Sequence, residues 1–378
     1  MLSSRSLGSS LVSALVAIFF ISHSCTEAKD SSSMNITTQP FGKTEVGREV
    51  TRYILTNSLG NSVSVMNWGA SLLDVNVPDR DGNMANVNLM FPTLDRYLSG
   101  HPFLGSTVGR FCNRIGNASF TIDGKKYEVT KNSGKHHIHG GKKNFTYQFW
   151  EGESYQTDDA IGVRFTLVSP DGQEGYPGTV SVTTDYGWND NNELTIAFTA
   201  TTDAKTHVNL TNHSYWNLGG VGTGTAMDHV ATLHADKILD VDEDKIPGGK
   251  FRDVEGTPWD FRSPMSFASR IDQLSATGGY DDCYAIQGEI GTLRPAARVV
   301  DPDSGRVLEI ETTQPGVQLY TANYLPGNER SAGAGGHDAF CLETQHFQNA
   351  PNVPTFPTTL LKPGETLNEV TVHRFSVE

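Results

Sequence analysis

Phe120-Thr-Ile-Asp-Gly-Lys-Lys-Tyr-Glu-Val129 reads as two short strands folded back on one another, with Asp123-Gly124 as the turn between them. The same signals recur along the chain. Leu73, Val75 and Val77 alternate with Asp74 and Asn76, and Val163, Phe165 and Leu167, then Leu194, Ile196 and Phe198, repeat the period of two that half-buried strands require. Turn chemistry separates such runs at Asp81-Gly82, Asp171-Gly172, Asn189 to Asn192 and Ser304-Gly305. Helical periodicity is confined to short pieces, Asp95 to Leu98 and Ser266 to Leu274, and strands do not alternate with helices. The pattern predicts an all-β fold, a large antiparallel β-sandwich or barrel. No internal repeat, Pro-rich linker or shift of composition divides residues 41–378, so one domain is expected there.

The chain has 378 residues and a net charge of −14, with 37% hydrophobic residues. That balance excludes nucleic acid and anionic membrane surfaces as partners, since both reward a basic patch. It leaves a neutral or cationic small ligand. At the N-terminus, Arg5, the apolar run Leu11 to Ile21 and the small residues up to Ala28 form a secretory-signal pattern over residues 1–28. The run is short for a membrane span, which needs about 17–25 residues. A polar segment, 29–40, reads as a flexible leader, and order is expected from about Phe41. A secreted, extracellular protein follows from this reading. Cys112, Cys283 and Cys341 would remain after cleavage, too few and too irregularly spaced for a disulfide framework. Asn35, Asn117, Asn144, Asn209 and Asn212 head glycosylation tripeptides; the last two flank His213, which leaves the first three as candidates.

Three distant stretches carry proton-handling groups among aromatic and amide neighbours: His139 in His137-Ile-His-Gly-Gly141, His213 in Asn209-Leu-Thr-Asn-His-Ser-Tyr-Trp-Asn-Leu218, and Glu343 in Cys341-Leu-Glu-Thr-Gln-His-Phe347. An imidazole facing a carboxylate is the minimum equipment for adding one proton to a substrate while removing another. Aromatic faces beside hydroxyls and amides suit a sugar ring, which has apolar faces and a rim of hydroxyls. Asn113 and Arg114 follow glycines that allow close backbone approach, and Asp281, Asp282 and Gln318 offer further hydrogen-bonding groups. Taken singly these residues also have structural readings, a salt bridge for Arg114, an ion pair for Glu343 and a loop cap for Asp281 and Asp282, while the polar and aromatic setting of His213 favours function. His137 and His139 lack the nearby carboxylate or cysteine ligands of a zinc site, and Gly219 to Gly224 lacks the spacing of a nucleotide loop. Neither a metal nor a nucleotide cofactor is expected.

Six motifs in order, Gly109-Arg-Phe-Cys-Asn-Arg-Ile115, His139-Gly-Gly141, Thr211-Asn-His-Ser-Tyr-Trp-Asn-Leu218, Gly279-Tyr-Asp281, Pro315-Gly-Val-Gln-Leu-Tyr-Thr321 and Leu342-Glu-Thr-Gln-His-Phe347, resemble the aldose 1-epimerase (galactose mutarotase) family. The resemblance runs from about Phe41 to the C-terminus. It implies a galactose-mutarotase-like β-supersandwich, no cofactor, free aldose sugars as substrates, and a monomer or weak dimer. It further implies that His213 is the general acid and Glu343 the general base, with Asn113, Arg114, His139, Ser214, Tyr215, Asp281 and Gln318 binding the sugar. Asp282 departs from the family, which commonly has His there. Two other readings remain at this point: a hexose-6-phosphate epimerase, which would need extra arginines at the cleft, and a secreted carbohydrate-binding protein without turnover.

Overall fold

A computed structural model describes residues 33–378, so the expected signal segment lies outside the described residues. Three larger sheets organise the chain. The first has five strands in sequence order, Asn35–Lys43, Glu49–Thr56, Ser62–Met66, Ser71–Pro78 and Met84–Asn86. The second, with nine strands, runs in the order Glu151–Gln156, Ala160–Ser169, Val180–Asn189, Glu193–Thr202, Leu367–Val377, Arg306–Thr312, Arg294–Val300, Val230–Leu233 and Met265–Ser266. The third has five: Pro247–Asp253, Lys237–Val241, Asp281–Ala285, Gly316–Tyr320 and Cys341–Gln345. Neighbours in these sheets pair antiparallel, the all-β architecture expected from the alternation.

The alternating pattern translates directly into packing. Along Val180–Asn189, Val180, Val182, Thr184, Tyr186 and Trp188 are buried while their neighbours are partly or fully exposed. Those buried faces meet Tyr53, Leu55, Val63 and Val65 of the first sheet in one core cluster, which Phe165, Ile196 and Trp150 also join. Each fully buried side chain of this kind contributes about 1.5–3 kcal/mol. The Asp123-Gly124 turn closes the hairpin at Ile122 and Lys125, and Asn189 to Asn192 closes another at Trp188 and Leu194. The predicted helical pieces are one short helix, Leu94–Leu98, and a 3-10 stretch, Phe267–Leu274.

Several expectations are revised. Residues 35–40 are not a loose leader: Asn35 to Pro40 pair with Thr56 to Thr51, because the Ser/Thr/Asn composition there also suits an exposed edge strand. Asp74 does not face water; it is buried and accepts hydrogen bonds from Arg52, Ser64 and Asn76. Asn144 is buried, its Oδ1 accepting from Thr146 N (3.0 Å) and its Nδ2 donating to Gly141 O (3.0 Å), which removes it as a glycan site; Asn35 and Asn117 are exposed. Cys112, Cys283 and Cys341 are free and buried. Among the described residues no helix is long and apolar enough to cross a membrane.

Arg306 ties the first sheet to the second. Its buried guanidinium donates to Val77 O (3.2 Å), Asn83 O (2.8 Å) and Leu218 O (2.9 Å). Arg306→Met keeps the stem but removes the donors that join the two sheets, although Asn83 O keeps Asp79 N (3.0 Å) and Leu218 O keeps Ser304 Oγ (3.2 Å). A loss of about 1–3 kcal/mol is expected from the lost charge-assisted hydrogen bonds, read as a lower denaturant midpoint.

Candidate active site

Trp216 and Phe340 form an isolated antiparallel bridge, Trp216 N donating to Phe340 O (2.7 Å) and Phe340 N to Trp216 O (2.9 Å). Extended outward by three residues on each segment, the same register sets His213 opposite Glu343. Glu343 pairs with Gln318, Gln318 with Cys283, and the next strand's register continues the row to Leu239. A second row lies two residues away, Tyr215, Cys341, Tyr320, Asp281 and Val241. Side chains directly opposite, and those at i and i+2, share one face of a sheet. Nine of these ten residues line a single cavity of about 240 Å³; the tenth, Cys341, places its Sγ 3.7 Å from His213 Nδ1.

The opposite wall comes from loops. Pro102, Phe103, Asn113, Arg114, Ile138 and His139 line it. Asn113 and His139 adopt left-handed backbone conformations, φ 57° and 51°, and brace each other: Asn113 N donates to His139 Nδ1 (3.2 Å) and His139 N to Asn113 O (3.0 Å). With Nδ1 accepting, the neutral ring carries its proton on Nε2. Burial, followed by the charges of His213 and Arg114, holds His139 well below the usual histidine range, so it stays neutral and acts as a donor. Gly140 is required for this turn: at φ 79° a Cβ would sit 1.9 Å from Gly109 O. The same applies to Gly105, whose close approach is to Leu72 O rather than to a ligand.

His213 and Glu343 are both buried, with Nε2 3.6 Å from Oε1. Glu343 Oε2 has no hydrogen-bond partner in the protein. Burial, and secondarily the Asp281 charge, pushes the Glu343 carboxyl up to about 8. Burial also pulls His213 down to about 4 against the opposing pull of Asp281. The ring planes of Tyr215 and Phe103 lie nearly parallel to the imidazole, 15° and 19° off, with centroids 4.9 and 5.8 Å away. Beside the pair runs a polar chain: Asn113 Nδ2 donates to Gln318 Oε1 (3.3 Å), Gln318 Nε2 to Asp281 Oδ1 (2.8 Å), and Lys245 Nζ contacts Asp281 Oδ2.

Of the residues singled out in the sequence, Asn113, Arg114, His139, His213, Tyr215, Asp281, Gln318 and Glu343 converge on this cavity. Ser214 does not line it. It falls between His213 and Tyr215 and therefore points to the other face, where its Oγ bonds Asn212 Oδ1 (2.5 Å). His137 does not sit beside His139 either: the positive φ of His139 breaks the alternation, and His137 bonds Thr130 O (2.6 Å) and Tyr176 OH (2.7 Å). Asp282 borders the cavity while its Oδ2 accepts from Trp259 Nε1 (2.8 Å). Sequence reasoning missed Phe103, Lys245, Tyr320 and Tyr324. Tyr320 had a usable signal, two residues from Gln318 on one strand; the others lie on loops or turns without periodicity. Among the described residues no cluster of three His, Cys, Asp or Glu side chains is arranged to hold a metal ion.

Residues 51–374 match the family model for aldose 1-epimerase, a span that contains every cavity residue. The chain belongs to the aldose 1-epimerase family. It is 40% identical to galactose mutarotase of Bos taurus over 347 residues, covering 91% of this chain and 99% of the bovine protein. It is 34% identical to aldose 1-epimerase of Escherichia coli K12, covering 86% and 94% of the two chains. The crystal structure of galactose 1-epimerase from Lactobacillus acidophilus superposes with a TM-score of 0.82 at 26% identity, covering 91% of this chain and 99% of that one. The fold of this aldose 1-epimerase family member is thus the supersandwich that its motifs implied.

A carboxyl held at about 8 in the folded state, against an ordinary value of 4.5, makes folding take up a proton at neutral pH. The folded state is then favoured below the unfolded value and loses stability as pH rises towards the folded one. Glu343→Gln removes that penalty. The variant is expected to be more stable than wild type by about 1–3 kcal/mol at pH 8, with the gain vanishing near pH 4.5, in denaturant titrations at both pH values.

Proposed function

We propose that this protein is an aldose 1-epimerase that interconverts the α and β anomers of free aldohexoses such as galactose and glucose. The observation that carries the reading is the buried His213–Glu343 pair, 3.6 Å apart at one cavity that also presents Asn113, Arg114, His139, Asp281 and Gln318 as hydrogen-bonding groups. At neutral pH the pair shares one proton, lying on Glu343 in the empty cavity. Moving it to His213 gives carboxylate and imidazolium without changing the proton count. A sugar hydroxyl donating to the unpartnered Oε2 favours that arrangement, because it supplies the solvation that burial removed.

Glu343 then takes the proton of the anomeric hydroxyl while His213 delivers its proton to the ring oxygen. The bond from C1 to the ring oxygen breaks as the C1 carbonyl forms. Rotation about C1–C2 turns the other carbonyl face towards the returning hydroxyl, and reclosure with both proton transfers reversed gives the other anomer. His139 Nε2–H and the Arg114 guanidinium supply donors to oxygens on which negative charge develops. No electron leaves the substrate and no heavy-atom group departs, so two proton carriers account for the chemistry. Asp281 and Asp282 border the same cavity, which disfavours a phosphate dianion and hence the 6-phosphate reading.

We also propose that residues 1–28 direct export and that Asn35 and Asn117, both exposed, carry glycans. Expression in a secreting eukaryotic cell should release protein whose mass falls on enzymatic deglycosylation. Asn35→Gln with Asn117→Gln should abolish that change.

Polarimetry on freshly dissolved α-D-galactose and α-D-glucose tests the activity. Wild type should speed the decay to equilibrium rotation. Glu343→Gln and His213→Asn should each lose about 10²–10⁴-fold in kcat. Below about 4 the pair holds two protons and lacks a base, and above about 8 it holds none and lacks an acid. kcat/KM should therefore be bell-shaped with limbs near those values. A wild-type enzyme that fails to accelerate either sugar overturns the assignment.

A further inference from the structure

The turn joining Lys237–Val241 to Pro247–Asp253 is built with more care than a connection of five residues needs. Asp242 Oδ1 accepts from Asp244 N (3.0 Å) and Ile246 N (2.8 Å). Asp244 pairs with Lys135 Nζ (2.8 Å) and His136 Nε2 (3.2 Å), which stand immediately before the His137-Ile138-His139 segment. Lys245 takes the left-handed φ of 61° that a non-glycine residue adopts only when its surroundings impose it. The outcome is a lysine side chain carried into the cavity, one quarter exposed, its ammonium against Asp281 Oδ2.

We propose that Lys245 is a specificity-determining residue of this site, fixing Asp281 and presenting its own N–H donors to the sugar hydroxyl that Asp281 accepts from. This rests on the epimerase reading above. Asp281 Oδ1 is already held by Gln318 Nε2 at 2.8 Å, so Lys245 completes the restraint of both carboxylate oxygens. An ammonium has three donors. One is spent on Asp281, which leaves the others for a ligand in the cavity that Lys245 lines. The wall then reads one hydroxyl as donor and acceptor together, and a site built in that way rejects an analogue lacking the hydroxyl far more strongly than an apolar wall would.

The same ammonium governs charge. Around it stand Asp281 and Asp282 on the neighbouring strand, Glu343 two strands further on, the Tyr320 phenol, and Arg114, His139 and His213 across the cavity; Asp242, Asp244, Lys135 and His136 lie behind the turn. The Asp281 charge opposes ionisation of Glu343. Lys245 offsets that charge, so its loss should make the His213–Glu343 pair release its last proton at higher pH.

The test compares wild type, Lys245→Met and Lys245→Arg in mutarotation of galactose, glucose and their 2-, 3-, 4- and 6-deoxy analogues, across pH. Wild type should discriminate against one deoxy sugar by tenfold or more in kcat/KM. Lys245→Met should lose most of that discrimination, raise KM for the parent sugar about tenfold, and move the alkaline limb up by about half a unit or more. Lys245→Arg should restore the limb. A Lys245→Met enzyme with wild-type KM, discrimination and pH profile overturns the inference while leaving the epimerase reading intact. A wild-type enzyme without mutarotase activity overturns that reading itself. Should Lys245→Met lose stability, Asp244→Asn, which loosens the turn but leaves the ammonium, separates folding from the effect: it should alter stability without moving the limb.

Discussion

Two backbone hydrogen bonds between Trp216 and Phe340 set the relative register of the segment carrying His213 and the strand carrying Glu343, and the site is laid out from that register. Because the side-chain period of a strand is two, a slip of one residue would send Ser214 towards the cavity in place of His213 or Tyr215 and bring Leu342 or Thr344 to the position of Glu343. The core prevents such a slip. Trp216 is fully buried against His373 and Phe375 of the nine-stranded sheet, and Phe340 packs on His229 and Phe267. Large apolar side chains anchoring the bridge on both sides thus hold in place His213 and Glu343, the proposed proton carriers, three residues beyond it.

The energetic tension in the molecule is concentrated at the same place. Glu343 sits in a sheet interior with one carboxyl oxygen unpartnered, and Asp281 adds a like charge from two strands away. A structural carboxylate in this position would be expected to find an arginine, as Asp74 does with Arg52. Arg114 lines the same cavity without an ion pair among the described residues, which leaves its guanidinium available to a ligand. Neutral histidines compensate in another way. His101, held down to about 3 by burial, accepts a hydrogen bond from Leu104 N (3.0 Å), and its ring meets Tyr97, Phe91 and Tyr147 edge-on. That packing fixes the loop on which Phe103, at φ 62°, reaches His139 and His213. A bulky residue in this backbone region is costly, by about 1–3 kcal/mol, and its neighbours over-determine it.

Much of this was legible in the sequence because it follows short periods. Alternation identified the strands, Asp-Gly and Asn-rich steps identified their hairpins, and the motifs around His213, Gln318 and Glu343 sit on strands where chemistry and periodicity coincide. What failed had nonlocal causes. Ser214 was counted with His213 and Tyr215 because a motif gives neighbours but not faces. Asp74 was placed outward because alternation cannot see Arg52 and Ser64 arriving from adjoining strands. Residues 35–40 looked like a leader because an exposed edge strand and a loose polar segment share a composition. Phe103 and Lys245 were invisible for a related reason: each reaches the cavity through a left-handed residue on a loop or turn, where no period exists to read.

The two walls of the cavity are therefore different kinds of structure, and the difference bears on how selectivity is distributed. The sheet wall is a grid, its rows spaced by backbone hydrogen bonds, and it holds His213 and Glu343 at a separation that a side-chain substitution cannot easily change. The loop wall and the turn at Lys245 are held by side-chain contacts, Asp244 to Lys135 and His136, Asn113 to His139 and Gln318, each of which is weak beside a strand ladder. Proton transfer at the anomeric centre requires the same geometry whichever aldose is bound, and in the proposed mechanism it rests on the grid. Recognition of the remaining hydroxyls must differ between aldoses, and it falls to the groups whose supports are local. Asp281 stands at the junction: its backbone belongs to the grid, while its carboxylate is aimed by Gln318 from within the sheet and by Lys245 from the turn. A change in the turn can therefore alter which hydroxyl is read without displacing the pair that moves the protons.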